Sequence, residues 1–215
     1  MVDRLTINAL DSLGRGLSSR EGERIIVPCA LMGEELEVQV EYLRGRAFGR
    51  MIQRLTTSPR RVDPGCDHVQ VCPGCTLRHA DEGLSAEVKT KRVRQAVASG
   101  LGIDVEPVWL GRAPRDHYRT RAVARATTDS NGGLALGMVG LEGVVPLREC
   151  PIQTSRCQRL LRDLEVDLSR LGMKPYDPET RSGELRHVIV DAYPEGAQRA
   201  EATARVVLCF GRPIT

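Results

Sequence analysis

Cysteines are the residues of this sequence best suited to chemistry, because three of the seven fall within one short segment. Cys66, Cys72 and Cys75 form a C-x5-C-x2-C pattern among prolines and glycines, and Cys150 follows far along the chain, directly before a proline. Thiolates are soft ligands that suit zinc or an iron–sulfur cluster. Three ligands on one loop and a remote cysteine before a proline are closer to iron–sulfur usage than to the paired knuckles of structural zinc sites.

Two other interpretations of these cysteines stay open. His68 and His79 lie beside these three cysteines, so a Cys3His zinc site is the alternative metal centre. The interpretation without a metal is a set of buried core thiols, but an exposed loop rich in proline and glycine is a poor place to bury three of them. For Cys29, Cys157 and Cys209, which stand alone, a structural role is expected instead. A centre with four protein ligands would be structural or redox-sensing, and the C-x3-C-x2-C spacing of radical enzymes is absent.

Clustered cations are the second chemical feature, although the formal net charge is only +3. Guanidinium groups bind phosphate bidentately, and clustered cations release counterions when they bind a polyanion. A solvated charged face is the alternative. Because aromatic residues make up 3% of the chain, nucleic-acid recognition would depend on phosphate and ribose more than on stacked bases. Six arginines between residues 44 and 61 have no acidic residue among them, and further groups lie at 89–94 and 112–125. The predicted RNA contacts are Arg44, Arg46, Arg50, Arg54, Arg60, Arg61, Lys91, Arg119 and Arg121.

The elements that must position these residues divide into a β-rich part and an α+β part. Residues 1–62 show short apolar runs between glycines, and residues 36–42 alternate with period two, which predicts a small closed or partly open OB-like barrel. Residues 63–80 are predicted to form the cysteine-rich loop. Residues 81–215 are predicted to be an α+β domain with the hairpin signal Asn131-Gly132-Gly133 and strands at 185–190 and 203–210.

Two helices are predicted in the second part. The first runs over residues 84–99, with an apolar side formed by Ala86, Thr90, Val93, Val97 and Leu101. The second runs over residues 155–171, begins at Thr154 or Ser155 as N-cap and ends before Gly172. Its apolar stripe consists of Cys157, Leu160, Leu161, Leu164, Leu168 and Leu171.

In order along the chain, several short motifs resemble the N-terminal part of the RNA uracil-5-methyltransferases that carry a TRAM domain and a 4Fe–4S cluster. The motifs are Gly14-Arg15-Gly16, residues 27–34, Ser58–Val62, Cys72–His79, Tyr118–Arg121, Cys150-Pro151 and Gly183–His187. The resemblance implies a TRAM barrel over residues 1–62, cluster ligation by Cys66, Cys72, Cys75 and Cys150, and ribosomal or transfer RNA as the ligand. The sequence departs from the family at Pro73, Arg78 and Thr120, where glycine, glutamine and asparagine are usual.

The resemblance also implies a C-terminal Rossmann-like domain, which binds S-adenosylmethionine and supplies a cysteine that attacks C6 of uracil. Only 23 residues follow Ala192, and Cys209 has no acidic residue after it. We therefore expect this chain alone to transfer no methyl group, and S-adenosylmethionine to enter only if a separate methyltransferase polypeptide supplies the catalytic domain. The alternatives are a standalone ribosome- or RNA-associated protein with a structural cluster, and a zinc-bound interaction module. No apolar run is long enough to cross a bilayer and no secretory signal is present, so a cytoplasmic protein is expected.

Overall fold

Each of two units folds around its own β-sheet in the computed structural model, which describes residues 2–111, 114–129, 131–140, 143–192 and 204–211. The first unit comprises residues 1–70 and 74–111, and the second comprises residues 71–73 and 112–215. The chain thus passes into the second unit for three residues within the cysteine-rich loop. In the described part of the chain, no helix combines the length and the apolar character that crossing a membrane requires.

The first sheet has six strands in the order β1-β5-β6-β4-β3-β2. The strands are β1 (Val2–Thr6), β2 (Ala9–Leu10), β3 (Gly16–Arg20), β4 (Glu23–Val27), β5 (Glu35–Leu43) and β6 (Arg46–Arg54). Neighbouring strands are antiparallel except β4 and β6, which pair in parallel. The sheet curls into a half-barrel, so the prediction of a β-rich N-terminal unit is confirmed, whereas a fully closed barrel is not observed among the described residues.

The core of the half-barrel comes from the alternation that the sequence displays. Leu36 and Val38 on β5 are fully buried and pack with Ile25 and Val27 of β4, as a period-two strand with one inward face requires. Between β5 and β6, Arg44 and Gly45 both have positive φ angles, 51° and 73°. Two successive residues of this kind form the tight turn whose twist matches a hairpin.

Helix α1 (Glu82–Leu101) belongs to the first unit, whereas the sequence placed it with the C-terminal part. Asp81 caps it by accepting a hydrogen bond from the Leu84 N–H at 2.7 Å. The apolar side predicted for this helix is confirmed only in part, since Ala86, Thr90 and Val97 are partly buried. Val88 is its only buried residue among those described, and Val93 and Leu101 are exposed because few residues of the unit pack on the helix.

The second sheet has five antiparallel strands in the order β11-β10-β7-β8-β9. They are β7 (Arg121–Thr128), β8 (Leu134–Gly140), β9 (Gly143–Pro146), β10 (Leu185–Ala192) and β11 (Ala204–Phe210). The predicted hairpin and the two later strands are confirmed. Thr203, the expected start of the last strand, lies outside the described residues.

Helix α2 (Ser155–Arg170) covers one face of this sheet. Cys157, Leu161 and Leu168 pack with the alternate residues Ala122 and Ala124 of β7 in a common core. Thr154 is the N-cap, as predicted, and Gly172 follows the helix with a φ angle of 69°. Leu171 is the one member of the predicted stripe that lies exposed, because the helix ends at Arg170.

Candidate nucleic-acid interface and cysteine ligands

The cysteine-rich loop consists of turns between two anchored ends. At its base, the Val62 N–H donates to the carbonyl oxygen of His79 at 3.0 Å, next to the bridge between Arg61 and Ala80. Leu77 lies so close to Gly14 that a Cβ atom at Gly14 would come within 2.3 Å of the Leu77 side chain. Because of this short distance, position 14 of the Gly14-Arg15-Gly16 motif has no room for a side chain. The turn before β3 packs there against the end of the loop.

All four predicted ligands are partly exposed thiols in irregular segments, unlike the other three cysteines. Cys29 is buried and its thiol donates to the Val69 carbonyl oxygen at 2.9 Å. Cys157 is buried in α2, where desolvation raises the pKa of its thiol to about 11. Cys209 lies in β11, opposite His187. The partial exposure of these four thiols therefore suits a soft metal centre better than the positions of the remaining cysteines.

The four thiols are divided between the two units. Cys66 and Cys75 belong to the first unit, and Cys72 and Cys150 belong to the second. Among the described residues, no three histidine, cysteine, aspartate or glutamate side chains are grouped so that they could hold a metal ion. An iron–sulfur loop is therefore not shown, and cluster ligation stays a prediction.

Within the second unit, local contacts fix the segments that carry Cys72 and Cys150. A Cβ atom at Gly140 would lie 2.5 Å from the carbonyl oxygen of Val71, so the chain before Cys72 contacts the end of β8 closely. Cys150 follows a single 3₁₀ turn (Leu147–Glu149), and its carbonyl oxygen accepts from the Gln158 side chain at 2.8 Å.

His79, the histidine of the alternative zinc site, is fully buried in the first unit. Desolvation, together with the positive charge of Arg61, lowers the pKa of His79 to about 4. Arg54 acts on the ring in the same direction. Two neighbouring guanidinium groups make this ring a poor ligand for a cation, which weighs against the Cys3His alternative at this histidine.

Glu34 is a buried carboxylate that the sequence analysis did not single out. It accepts hydrogen bonds from Arg61 at 2.6 and 2.7 Å and from the Leu31 N–H at 2.9 Å. Arg54 forms an ion pair with the same carboxylate at 3.7 Å. Although burial acts to raise the pKa of Glu34, the hydrogen bonds from Arg61 and Leu31 hold it below its ordinary value. The only sequence signal was an acidic residue at the end of the motif 27–34.

The arginine run between residues 44 and 61 therefore does not form one uniform basic surface. Arg61 is hydrogen-bonded to Glu34. Arg60 forms ion pairs with Asp81 and, at 3.1 Å, with Glu87. Counting charges along the sequence misses these partners because the acidic residues come from distant parts of the chain. Both guanidinium groups are therefore paired with carboxylates, and RNA contact by Arg60 and Arg61 stays a prediction.

Other cations of the first unit point to solvent. Arg44 and Arg46 are exposed at the β5–β6 turn, beside the exposed side chains of Tyr42 and Leu43. Arg50, further along β6, donates to the Gln39 side chain at 2.8 Å. Lys91 is exposed on α1. The basic tip of the hairpin is thus the part of the run best placed to meet a polyanion.

In the second unit, α2 packs on one face of the sheet, and the opposite face is the open face. Arg121, Val123 and Arg125 alternate with the buried alanines of β7, so all three lie on this open face. Register places Val123 beside Ile189, and Arg125 beside His187. Arg119 precedes the strand, and its Nε donates to the Arg121 carbonyl oxygen at 3.1 Å.

The open face carries more positive than negative side chains. Arg121 and Arg205 share the single carboxylate of Asp191, at 3.3 and 2.6 Å. Partial burial and the charge of Arg125 lower the pKa of His187 on the same face. Arg112, another cation of the predicted third group, lies outside the described residues. An apolar strip flanked by arginines is a surface suited to bind a nucleic acid.

Known proteins similar to this chain include RNA methyltransferases. No protein-family model matches the chain. An uncharacterised RNA methyltransferase of Halalkalibacterium halodurans is 29% identical over 87% of the chain and 42% of its own length. A 23S rRNA (uracil(1939)-C(5))-methyltransferase of Photorhabdus laumondii is 31% identical over 88% of the chain and 43% of its own length.

A solved structure shares the fold. The chain superposes on the Pyrococcus abyssi tRNA (uracil-54, C5)-methyltransferase, crystallised with S-adenosyl-L-homocysteine, with a TM-score of 0.64 and 22% identity. The match covers 96% of this chain and 45% of that one. The chain therefore spans less than half the length of the proteins it matches. The homologues that match most of this chain are RNA methyltransferases, and some of them are named for the C5 position of uracil.

Proposed function

We propose that this chain binds RNA as part of an S-adenosylmethionine-dependent RNA uracil-5-methyltransferase. The observation that carries the RNA-binding role is the open face of the second sheet, where Arg121 and Arg125 flank Val123 and no described element covers them. The named activity of the homologues supplies the reaction. Ribosomal and transfer RNA are the proposed substrate classes, since relatives of both kinds are similar to the chain.

The proposed contacts with phosphate are exposed or, for Arg50, partly exposed cations of both units. They are Arg44, Arg46, Arg50, Lys91, Arg119, Arg121 and, added from the structure, Arg125. Arginine forks on a rigid strand bind phosphates with little loss of side-chain freedom, whereas long-range charge alone gives weak, sequence-independent attraction. Arg60 and Arg61 are not proposed as contacts because their guanidinium groups are held by carboxylates.

We assign methyl transfer to no residue of this chain. Cys209 lies in β11, where its partner in the register is His187 and not a carboxylate. Each of these relatives is a single chain that is named a methyltransferase. The comparison therefore gives no support to the expectation of a separate catalytic polypeptide. The S-adenosylmethionine requirement is proposed for the whole protein.

Four cysteines are proposed to hold a 4Fe–4S cluster: Cys66, Cys72, Cys75 and Cys150. Their partly exposed thiols in turn-rich segments fit thiolate ligation, and filled ligand positions would leave the cluster a structural or redox-sensing role. The chain's own contribution is to supply the thiolates and, through the contacts at Gly14 and Gly140, to fix the loop segments that carry them.

RNA binding is tested with the full chain purified without oxygen. Fluorescence anisotropy with a labelled fragment of 23S rRNA, a transfer RNA and a DNA duplex of equal length compares the three affinities at fixed salt. We expect the two RNAs to bind more tightly than the DNA, because single-stranded loops and 2′-hydroxyl groups are available only in RNA. Equal affinity for the duplex, or no binding of either RNA, would overturn the proposal.

The metal centre is tested by assaying iron, zinc and acid-labile sulfide in the same preparation. The cluster proposal requires iron and sulfide in equal amounts, and their loss in Cys72→Ser. Cys209→Ser is the matched control, since a thiol in β11 is not a proposed ligand and its loss should leave iron and sulfide unchanged. Zinc without sulfide would establish the alternative metal site.

A further inference from the structure

One carboxylate on the open face of the second sheet lies between two arginines. Asp191 is on β10, and in the register it stands opposite Arg121 of β7 and opposite Arg205 of β11. Side chains directly opposite each other on neighbouring strands have Cβ atoms about 4.5–5.5 Å apart, so both pairs can interact. Arg205 donates to Asp191 Oδ2 from Nε at 3.0 Å and from Nη2 at 2.6 Å, and Arg121 Nη1 lies 3.3 Å from Oδ1. We call this row of three residues the arginine clamp.

The carboxylate of the arginine clamp is nearly buried, whereas both guanidinium groups are accessible to a ligand. The Asp191 side chain is 12% exposed, and those of Arg121 and Arg205 are 54% and 57% exposed. Each guanidinium group has about five N–H donors and a carboxylate accepts at about four positions, so the two arginines have more donors than Asp191 can satisfy. The clamp therefore has one surplus positive charge and surplus donors, which suits a singly charged anion with several oxygens, such as a phosphodiester.

Beside the clamp, the open face continues with an apolar row and a second cationic row. Two residues further along the same strands lie Val123, Ile189 and Val207, of which Val123 and Val207 are 46% and 38% exposed. Two residues beyond this apolar row, Arg125 stands opposite His187. Four residues of a strand span about 13 Å, so a polyanion that contacts both cationic rows must also cover the apolar row. An unstacked base of a single strand offers an apolar face for this contact, whereas the outside of a duplex offers phosphate and sugar.

We propose that the arginine clamp binds one phosphate of a single-stranded RNA segment and that Asp191 is the positioning residue of this site. Asp191 does not touch the RNA. It holds both guanidinium groups in place, so that less side-chain freedom is lost when the phosphate binds. The base next to this phosphate lies on Val123 and Val207, and Arg125 contacts the RNA further along. The inference rests on the proposed RNA binding and adds Arg205 and Asp191 to the residues responsible for it.

Removing the negative charge of Asp191 separates positioning from simple attraction. If only the total charge mattered, Asp191→Asn would make the surface more positive and would strengthen RNA binding. In the arginine clamp the same change removes the ion pairs that hold both arginines. We therefore expect about tenfold weaker binding of a labelled single-stranded oligouridine, measured by fluorescence anisotropy, because two long side chains regain their freedom. Unchanged or tighter binding in Asp191→Asn would overturn the proposal.

The salt dependence distinguishes a positioning role from the loss of a phosphate contact. Arg205→Gln leaves the clamp without its surplus charge and should reduce the magnitude of the slope of log affinity against log salt concentration by about 0.7. Asp191→Asn keeps both guanidinium groups, so its slope should be no smaller than that of the unmodified chain. Arg205→Lys should retain the slope but lose affinity, because an ammonium group lacks the planar fork. An unchanged slope in Arg205→Gln would contradict the assignment.

A matched control removes a carboxylate from another arginine of the same unit. Asp167 pairs with Arg170 at 3.7 Å on α2, which packs on the opposite face of the sheet. Asp167→Asn therefore makes the same change in charge away from the arginine clamp, and RNA affinity should stay equal or rise slightly. Urea unfolding of both variants identifies any loss of folded protein. A loss of affinity in Asp167→Asn as large as that in Asp191→Asn would overturn the proposal.

The apolar row is tested by the choice of ligand. At fixed salt, the unmodified chain should bind oligouridine more tightly than an RNA duplex of equal length, and Val123→Thr should reduce this preference. Equal binding of duplex and single strand would contradict the role of the apolar row. If polyglutamate of equal charge competes as well as oligouridine, the clamp is a general anion site and the inference fails. RNA binding that Asp191→Asn leaves unchanged or strengthens would overturn this inference alone, whereas no RNA binding by the unmodified chain would overturn the proposed function.

Discussion

His79 is a buried titratable group whose protonation opposes folding. Its ring is fully buried, neither ring nitrogen has a hydrogen-bond partner among the described residues, and desolvation lowers its pKa from 6.5 to about 4. Between these two values the unfolded chain binds a proton that the folded chain does not. The stability contributed by neutral His79 is therefore complete above about pH 6.5 and is lost as the pH falls toward 4.

The corresponding measurement is the free energy of unfolding in urea at pH 7 and pH 5. From the shift, His79 should account for a loss of about 2 kcal/mol between the two pH values. The fluorescence of Trp109, the chain's one tryptophan, follows the first unit, in which both residues lie. In His79→Leu this part of the pH dependence should disappear, leaving the contribution of the carboxylates. An unchanged pH dependence in the variant would show that His79 is protonated in the folded state.

Glu34 and Arg61 form an ion pair in which each partner depends on the other. The Glu34 side chain is fully buried and that of Arg61 is 9% exposed. Replacing Glu34 with leucine leaves the Arg61 charge buried without its partner, which should cost about 3–5 kcal/mol of unfolding free energy. The double variant Glu34→Leu/Arg61→Leu should recover part of this loss, because the buried Arg61 charge is removed and only the more exposed Arg54 loses its carboxylate. A double variant that is less stable than Glu34→Leu would contradict this reasoning.

These residues show that counting charges along a sequence does not predict where a basic surface lies. Six arginines between residues 44 and 61, with no acidic residue among them, predicted one basic surface, yet Arg60 and Arg61 pair with carboxylates 21 and 27 positions away. The exposed tip at Arg44 and Arg46 follows from local hairpin geometry, which a sequence can predict. Partners brought together by the fold cannot be predicted in the same way, since they depend on tertiary packing.

At the scale of elements, the start of α1 depends on one side chain. Asp81 accepts from the Leu84 N–H, and its hydrogen bond with Arg60 lowers the pKa of the carboxyl group to about 2. Asp81→Ala removes both interactions and should cost about 1 kcal/mol, the usual value of an N-cap. Asp81→Asn keeps a capping oxygen and should lose less. Urea unfolding followed by Trp109 fluorescence measures both variants; equal losses would mean that the cap itself contributes little.

The two helices show what periodicity can and cannot predict. In α2, Cys157, Leu161 and Leu168 recur at helical spacing and are buried, since they pack on the inward apolar residues of β7, β8 and β10. The stripe predicted for α1 was mixed with small and polar residues, and the structure buries Val88 instead. A strand with strict alternation, such as β5, was predictable because it buries one face only.

For the whole molecule, the proposed RNA surface should appear as a salt dependence. The formal net charge of +3 is too small to direct RNA binding by itself, so the attraction must come from a few exposed cations. Each phosphate contact with a single strand contributes about −0.7 to the slope of log affinity against log salt concentration. Replacing Arg44, Arg46 and Arg121 together with glutamine should therefore reduce the magnitude of the slope by about 2.

The control for this variant must remove an arginine without removing a phosphate contact. Arg94→Gln serves, because Asp104 and Glu106 already neutralise that guanidinium group at 2.8 and 2.9 Å. Affinity for the labelled 23S rRNA fragment is measured at several salt concentrations, and the triple variant is expected to weaken binding similarly for all RNA sequences. If its slope equals that of the unmodified chain, these three arginines do not contact phosphate and the basic surface must be sought among other residues. A slope that also falls in Arg94→Gln would show that general charge, and not the assigned positions, attracts the RNA.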